Sequence, residues 1–146
     1  NSEGFVKGMS SRLAFTFHDF QFNEYQSGGD DFSGHDLTGT APIVVGLTTD
    51  IQFGQGIYLN LSYLYTDPIP LNDENIVYAD AYTMLFAKIG WLRTFGKSDV
   101  QLSLAVDNIL DQQYSLGNDL NAFGGRYYQP APTRNYSVNL NLRLRK

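Results

Sequence analysis

The most regular feature of the chain is an alternation of apolar and polar side chains that returns in several separate segments. Odd-numbered positions are mainly apolar from Ile43 to Phe53 and entirely apolar from Ile57 to Tyr65. A period of two residues is typical of β-strands whose two faces meet different surroundings. The pattern predicts six strands, over residues 11–25, 43–53, 57–66, 82–95, 100–110 and 134–145. The first is less regular because its apolar parity changes between Phe17 and Phe20, which indicates a bulge or a strand that leaves the surface its first half faces.

The connections between these strands alternate strictly in length. Residues 54–56 and 96–99 form short turns, whereas long polar segments occupy residues 26–41, 67–80 and 112–133. Outer-membrane β-barrels have this arrangement, with short periplasmic turns and long external loops, and their strands have about 9–11 residues. The sequence therefore predicts an all-β fold, an antiparallel up-and-down segment of a transmembrane β-barrel. The narrowest membrane barrels need about eight strands, so six must belong to a larger barrel or be completed by other copies.

The polar positions of the alternating strands indicate which face of the sheet would line the interior of the barrel. They are mainly neutral, with Ser, Asn and Gln, whereas the outer face of a soluble barrel carries more Lys and Glu. Trp91 and several tyrosines lie towards strand ends, where membrane barrels have aromatic girdles. We therefore expect the apolar parity to face lipid. The expected lumen-facing residues are Asp50, Asn60, Lys88, Asp107, Asn139 and Asn141.

Charge is distributed unevenly along the chain. Ten Lys and Arg against fifteen Asp and Glu give a net charge of −5, which argues against a nucleic-acid partner. The first two long loops carry eight carboxylates and no Lys or Arg between them: Glu24, Asp30, Asp31, Asp36, Asp67, Asp73, Glu74 and Asp80. The basic residues are expected near the short turns and chain ends: Lys7, Arg12, Arg93, Lys97, Arg143, Arg145 and Lys146. This segregation favours a directional, membrane-embedded protein over ordinary solvated loops.

The sequence contains no motif that is typical of an enzyme or of a cofactor-binding protein. The chain has no cysteine, and its two histidines form no Ser-His-Asp order or zinc-spaced pair. Asp30, Asp31, His35 and Asp36 offer oxygen and imidazole ligands, but any solvated acidic loop has the same composition. We predict no enzymatic activity, no cofactor and no metal site.

Two late motifs carry a resemblance to a known family. Residues 107–114, Asp-Asn-Ile-Leu-Asp-Gln-Gln-Tyr, resemble the N-L-F-D-x-x-Y signature of TonB-dependent outer-membrane receptors. Residues 125–136, with Pro130, Pro132 and Arg134, resemble the G-R-x-Y-x-P-x-P-G-R-x segment before the last strand of these receptors. Weaker similarity covers residues 32–42 and 79–82. The resemblance implies that residues 1–146 are the C-terminal portion of a barrel of about 22 strands.

The resemblance also implies a function. Receptors of this family import a scarce nutrient, foremost a ferric siderophore, across the outer membrane of Gram-negative bacteria. The partners would be the TonB complex, acting through a plug domain that this chain lacks, together with outer-membrane lipid and lipopolysaccharide. Because Asn1 follows no leader, we expect a processed protein or a piece of one, which could not transport without the plug. The ending Leu144-Arg145-Lys146 departs from the family's usual terminal aromatic residue.

The three long loops would form part of the vestibule for the iron chelate or other small nutrient. The candidate ligand residues are Arg126, Tyr127, Tyr128 and Arg134, a group of cations and aromatic rings in the third loop. The eight carboxylates of the other two loops disfavour a strongly anionic ligand, so a neutral or cationic cargo, or divalent ions bridging to lipopolysaccharide, suits them better.

Two alternative functions stay open on the sequence. One is a structural or adhesive outer-membrane barrel that transports nothing, and the other is a soluble lipid-binding barrel with its apolar residues inside. The late motifs also have a local structural interpretation. Asn108 and Asp111 can bond their own backbone and end a strand, and Pro130 and Pro132 remove donors where no neighbour is expected.

Overall fold

The computed structural model describes residues 5–145, and they form strands joined by turns and loops. Within this range, no helix has the length and apolar character that crossing a membrane requires. Two single-turn 3₁₀ segments lie at Gly54–Gly56 and Phe123–Gly125. The strands of this range are β1 (Val6–Phe17), β2 (Gln26–Ser27), β3 (Asp30–Asp31), β4 (Ile43–Phe53), β5 (Ile57–Thr66), β6 (Ile69–Pro70), β7 (Tyr78–Ala79), β8 (Tyr82–Phe95), β9 (Ser98–Asp107), β10 (Ser115–Asn118), β11 (Tyr128–Pro130) and β12 (Asn135–Leu144).

Six long strands form one antiparallel sheet in the order β1-β4-β5-β8-β9-β12. Each strand therefore pairs with the next long strand along the chain, which confirms the predicted all-β, up-and-down arrangement. The sheet is open, and within residues 5–145 the outer edges of β1 and β12 have no further strand beside them. The three remaining pairs, β2-β3, β6-β7 and β10-β11, are short hairpins inside the long loops.

The predicted bounds of the first strand are wrong, but the interpretation that the strand leaves its surface after Phe17 is confirmed. The strand spans Val6–Phe17 rather than residues 11–25, and its irregular pairing lies between Val6 and Gly8 rather than between Phe17 and Phe20. After Phe17 the chain leaves the sheet, because the amide of His18 bonds to the carbonyl of Pro42 at 3.0 Å and the following residues fold into the loop. Strand β9 ends at Asp107 instead of residue 110, because Asn108 has a φ of 52° that no strand accommodates.

The register sets an apolar row of residues on one face of the sheet and a mainly polar row on the other, which we call the polar face. A single row of directly opposed residues crosses all six strands with apolar side chains: Met9, Ile51, Leu59, Ile89, Leu104 and Val138. The adjacent row, on the other face, consists of Ser10, Asp50, Asn60, Lys88, Ala105 and Ser137. The apolar row is open to the surroundings, with Ile89 50% and Val138 70% exposed. The large side chains that are buried completely lie elsewhere, among them Leu71 in a loop.

The antiparallel order brings the three long connections to one end of the sheet. We call them loop 1 (residues 18–42), loop 2 (residues 67–81) and loop 3 (residues 108–134), and their assembly the loop cap. At the opposite end β4 joins β5 through Gly54–Gly56, and β8 joins β9 through Gly96 and Lys97.

The predicted grouping of basic residues at the short-turn end is correct only in part. Arg145 forms an ion pair with Asp99 of β9 there, at 2.7 Å. Arg12 instead lies in the middle of β1, opposite Thr48 of β4, on the polar face. Lys146 lies outside the described residues.

Candidate functional site

The three loops of the cap are joined by backbone hydrogen bonds that centre on loop 2. The amide of Gly39 in loop 1 donates to the carbonyl of Pro70 at 2.8 Å, and the amide of Asn121 in loop 3 donates to the carbonyl of Leu71 at 2.8 Å. The side chain of Leu71 is 0% exposed, and Leu120 of loop 3 lies close against Gly39. The cap therefore has a small core of its own, separate from the two faces of the sheet.

Asp73 is the polar centre of this cap. Its carboxylate accepts hydrogen bonds from the hydroxyls of Thr38 at 2.6 Å and Tyr25 at 3.2 Å, both in loop 1. Its amide donates to Oδ1 of Asn121 in loop 3 at 2.9 Å, and its carbonyl lies 2.7 Å from Nδ1 of His35. Because a carbonyl oxygen can only accept, His35 carries its proton on Nδ1. One residue of loop 2 thus binds both neighbouring loops.

Two carboxylates of the cap, those of Asp73 and Asp31, have lowered pKa values. Burial by itself would raise the pKa of Asp73, but the hydrogen bonds that involve Thr38, Asn121 and Tyr25 outweigh it, and the pKa is lower than its ordinary value. The hydrogen bonds from the side chain and then the backbone of Ser33 likewise lower the pKa of Asp31. Asp73 and Asp31 consequently keep their negative charge at neutral pH.

Asparagines that the sequence analysis did not single out shape loop 2. Oδ1 of Asn72 accepts from the amides of Ile76 and Val77 at 3.1 Å each. Asn75, with a φ of 55°, exchanges two hydrogen bonds with the backbone of Asp36 at 2.7 and 3.1 Å. Asparagine tolerates this left-handed conformation better than most residues, and its frequency in the loop was the available signal.

The motif at residues 107–114 has the structural role that the sequence predicted. Asn108 is 1% exposed, and its side chain donates to the carbonyl of Gln112 at 2.8 Å and accepts from the amide of Gln112 at 3.0 Å. Oδ1 of Asp111 accepts from the amide of Arg134 at 2.9 Å. These bonds close the end of β9 and connect it to the start of β12, so the motif ends one strand and positions the next.

The expectation that Pro130 and Pro132 lie where no neighbouring strand is present is only partly correct. Pro130 does not precede an unpaired segment but lies in β11, opposite Ser115 of β10. The hydroxyl of Ser115 accepts from the amide of Gln129 at 2.9 Å, which supplies a bond beside the proline that has no N–H. The carbonyl of Pro132 lies 3.5 Å from Nδ2 of Asn108, at the base of loop 3.

The four candidate ligand residues do not form one cluster. The rings of Tyr127 and Tyr128 meet edge to face at 6.4 Å, but the two residues line different cavities. Arg134 is bound at the base of loop 3, where its Nε donates to the carbonyl of Ile109 at 3.0 Å. Arg126 is exposed and lines neither cavity. The four residues thus have different surroundings, and a ligand site that they share stays a prediction.

Two cavities open in the cap. One, of about 440 Å³, lies where the three loops meet and has acidic and aromatic walls that include Tyr25, Phe32, Asp73, Glu74 and Tyr127. The other, of about 490 Å³, lies between loops 2 and 3 and includes Tyr82 and Tyr128. Both volumes fall in the range of small-molecule sites. Among the residues that the structure describes, neither lining contains Lys or Arg.

The register places all six predicted lumen residues on the polar face of the sheet. Asp50, Asn60 and Lys88 are consecutive members of one row, and the side-chain amide of Asn60 donates to Asp50. Asp107 lies opposite Asn135, which shares this face with Asn139 and Asn141 of β12. That this face borders a lumen stays a prediction.

The acidic residues of loop 1 do not converge as a metal site would require. Within residues 5–145, no three His, Asp or Glu side chains come together in a group that could hold a metal ion. The ring of His35 is instead hydrogen-bonded to the carbonyl of Asp73, and the backbone amide of Asp36 donates to the side chain of Asn75.

Comparison with known proteins gives a structural relative. No protein-family model matches the chain. Among solved structures, the siderophore receptor PiuA from Acinetobacter baumannii is similar, with a TM-score of 0.75 over 92% of this chain. The two sequences are 14% identical, and the chain spans 19% of the length of that receptor. At this identity the likeness shows a shared fold: the six-stranded sheet with its loops resembles one segment of a much larger protein.

Proposed function

We propose that the chain is part of a nutrient-importing β-barrel of the Gram-negative outer membrane, the C-terminal portion of a TonB-dependent receptor. The observation that carries the proposal is the apolar row across all six strands, which lies exposed opposite a polar row. Two further observations support the proposal. The long and the short connections lie at opposite ends of the sheet, and the chain is similar in structure to a segment of a siderophore receptor.

The exposure of the apolar row favours lipid as its neighbour. A continuous apolar surface across six strands is far larger than the patches that soluble monomers leave in water. In a bilayer the same side chains would be surrounded by hydrocarbon, and every strand amide would bond to a neighbouring strand. In a soluble lipid-binding barrel the same side chains, Leu140 among them, would face the interior.

The cap supports a cargo without strong negative charge. The lowered pKa values of Asp73 and Asp31 keep these two carboxylates charged at neutral pH. A small nutrient or iron chelate that is neutral or cationic would meet no repulsion there. Energy for its passage would come from the TonB complex acting through a plug domain.

Cysteine labelling tests the orientation of the faces, because the chain contains no cysteine of its own. Leu140→Cys and Asn139→Cys change adjacent residues of β12 that lie on opposite faces. Each variant is made in the full-length protein and labelled in intact outer membranes. The Asn139→Cys variant should react with a water-soluble maleimide, and the Leu140→Cys variant only with a lipid-soluble one. Equal reaction of both variants with the water-soluble reagent would contradict the proposal.

Transport needs a separate measurement, since a structural or adhesive barrel would give the same labelling pattern. Cells that lack the protein should lose growth on the limiting nutrient, and cells that lack TonB should show the same loss. Normal growth of the deletion strain on every limiting iron source and cofactor would favour the non-transporting alternative.

A further inference from the structure

The cavity between loops 2 and 3 has the form of a small-molecule site. Its volume is about 490 Å³, and most of its wall is apolar. It is bounded by the ends of β7 and β8, by the short hairpin β10-β11 and by the segments beside them. The residues that line it are Ala79, Asp80, Tyr82, Gln113, Tyr114 and Ser115, followed by Asn118, Tyr128, Pro130, Ala131 and Thr133.

One wall of this cavity is built from flat rings. Tyr82 of β8 and Tyr114 of loop 3 stack with their centroids 5.1 Å apart and their planes 29° from parallel. Tyr128 is fixed by a hydrogen bond from its hydroxyl to the carbonyl of Tyr78 at 3.0 Å. Stacked and anchored rings lose little freedom when a further ring packs on them, so the wall favours a planar ligand.

Asn118 supplies a polar group that the protein leaves unused. Its Oδ1 atom is buried, and it has no hydrogen-bond partner among the described residues. Buried acceptors in native proteins are nearly always paired, so this atom needs a partner from outside the chain. Asn118 lines the cavity, so a turn of its amide about the last torsion angle would bring Oδ1 towards a donor placed there.

The charge of the lining excludes anions. Among the described residues that line it, Asp80 alone carries a formal charge, and that charge is negative. A carboxylate or phosphate on the ligand would meet repulsion without a compensating cation.

We propose that this cavity binds a planar ring compound that carries an N–H or O–H donor and no negative charge. The ring packs on Tyr82 and Tyr114, and the donor bonds to Oδ1 of Asn118. The proposal rests on the proposed function, since it names the ligand class for one part of the vestibule.

The test uses the full-length protein in detergent and three related probes. Indole has a planar ring with an N–H donor, 1-methylindole lacks the donor, and indole-3-carboxylate adds a negative charge. By calorimetry, indole should bind about tenfold more tightly than 1-methylindole, as expected for one hydrogen bond in a desolvated site. Indole-3-carboxylate should bind more weakly than either.

Variants assign these differences to residues. Asn118→Ala should weaken indole binding about tenfold and leave 1-methylindole unchanged, which removes the difference between the two probes. Asn118→Asp keeps an acceptor and should retain the preference for indole. Tyr114→Leu should weaken both probes equally, whereas Tyr114→Phe keeps the stacking ring and should bind as the parent does.

The outcomes are separable from those of the proposed function. Equal affinity of the parent protein for indole and 1-methylindole overturns the ligand assignment, even if the cysteine labelling at positions 139 and 140 supports a membrane barrel. The same holds if a solved structure shows Oδ1 of Asn118 bonded only to an ordered water in the presence of indole. The comparison of indole with 1-methylindole uses the parent protein, so it stays valid even if a variant does not fold.

Discussion

The phenol ring of Tyr58 in β5 lies directly over Gly90, its partner on the neighbouring strand β8. A Cβ atom at position 90 would lie 2.2 Å from Cζ of Tyr58. Past this glycine, the Tyr58 hydroxyl accepts a hydrogen bond from Nε2 of Gln101 in β9 at 2.7 Å. The absence of a side chain on β8 thus lets one residue connect three strands on the polar face.

Gly90→Ala should displace the Tyr58 ring and break its bond to Gln101. We expect a loss of about 1–3 kcal/mol in the free energy of unfolding, measured by denaturant titration in detergent. Gly46→Ala is the matched control, because the nearest atom to its added Cβ is that of Ala14, at 4.0 Å. The control should be neutral or stabilised by about 0.5 kcal/mol. Equal effects of the two substitutions would show that Tyr58 moves aside at no cost.

The turn between β4 and β5 depends on Gly56. Its φ is +81°, and an added Cβ would lie 2.0 Å from the carbonyl oxygen of Leu92. Gly56→Ala should therefore cost about 3 kcal/mol or more, since strain adds to a backbone clash. Gly96, in the other short turn, has a φ of +57° and open space around it, so Gly96→Ala should cost only about 1 kcal/mol. Comparing the unfolding midpoints of the two variants checks this order, which would be wrong if Gly96→Ala were the more harmful.

Asn108 should be sensitive to any change. Asn108→Ala leaves the amide and the carbonyl of Gln112 without their buried partners, so we expect a loss of about 2–4 kcal/mol. Limited proteolysis should then cleave loop 3 faster than in the parent protein. Asn108→Asp retains the acceptor for the Gln112 amide. Its stability should therefore lie between that of the parent protein and that of Asn108→Ala.

A neighbouring asparagine provides the comparison for Asn108. Asn135 is exposed at the start of β12, and its side chain reaches only the carbonyl of Thr133, at 3.5 Å. Asn135→Ala should change the stability by no more than about 0.5 kcal/mol. If Asn108→Ala were as mild as this, the buried side chain would have no structural role.

The loop cap should open in acid. The folded-state pKa of Asp73 is below its unfolded value, so its stabilising contribution is complete above about pH 4 and is lost as the pH falls through the folded-state pKa. Hydrogen exchange of the amides of loops 1 and 2 should therefore accelerate below about pH 4, beyond the intrinsic change in exchange rate. Asp31, whose pKa is lowered as well, contributes in the same direction.

Asp73→Asn separates this residue from general acid effects. The variant should have a looser cap at neutral pH and a flatter dependence on acid, because its group no longer titrates. Glu24→Gln, which removes an exposed carboxylate of loop 1, should behave as the parent does. An unchanged acid response in Asp73→Asn would assign the opening to other groups.

The sheet could be predicted well where local alternation and pairing agree. The bounds of β4, β5 and β8 match the predicted residues, because a period of two over ten or more residues has few alternative structures. The predicted end of the first strand at residue 25 is wrong, because aromatic residues continue after Phe17 but pack within loop 1. Phe22 and Tyr25 lie 4.8 Å apart there, and Tyr25 and Phe32 lie 5.6 Å apart. Local sequence does not distinguish such a cluster from a strand.

The candidate site was harder to predict than the sheet, because the residues that meet in it are far apart in the sequence. The role of Asn108 was predictable because its main partner, Gln112, lies four residues away, whereas the partner of Asp111, Arg134, belongs to the second motif. Asp73 and Thr38 are 35 residues apart, and no pattern in either loop indicates that they meet. Arg134 was assigned to the ligand by residue type alone, whereas its backbone and Nε are used at the base of loop 3.

The unpaired outer edges of β1 and β12 have a practical consequence for preparing this chain. Each presents a long row of backbone donors and acceptors that another copy can add to, and the apolar side chains beside them lack a shield in water. Overproduced alone in buffer, the polypeptide should collect in inclusion bodies and stack edge to edge into fibrils. In the proposed barrel both edges would be paired, so production within the full-length protein is the route to crystals or spectra of the native sheet.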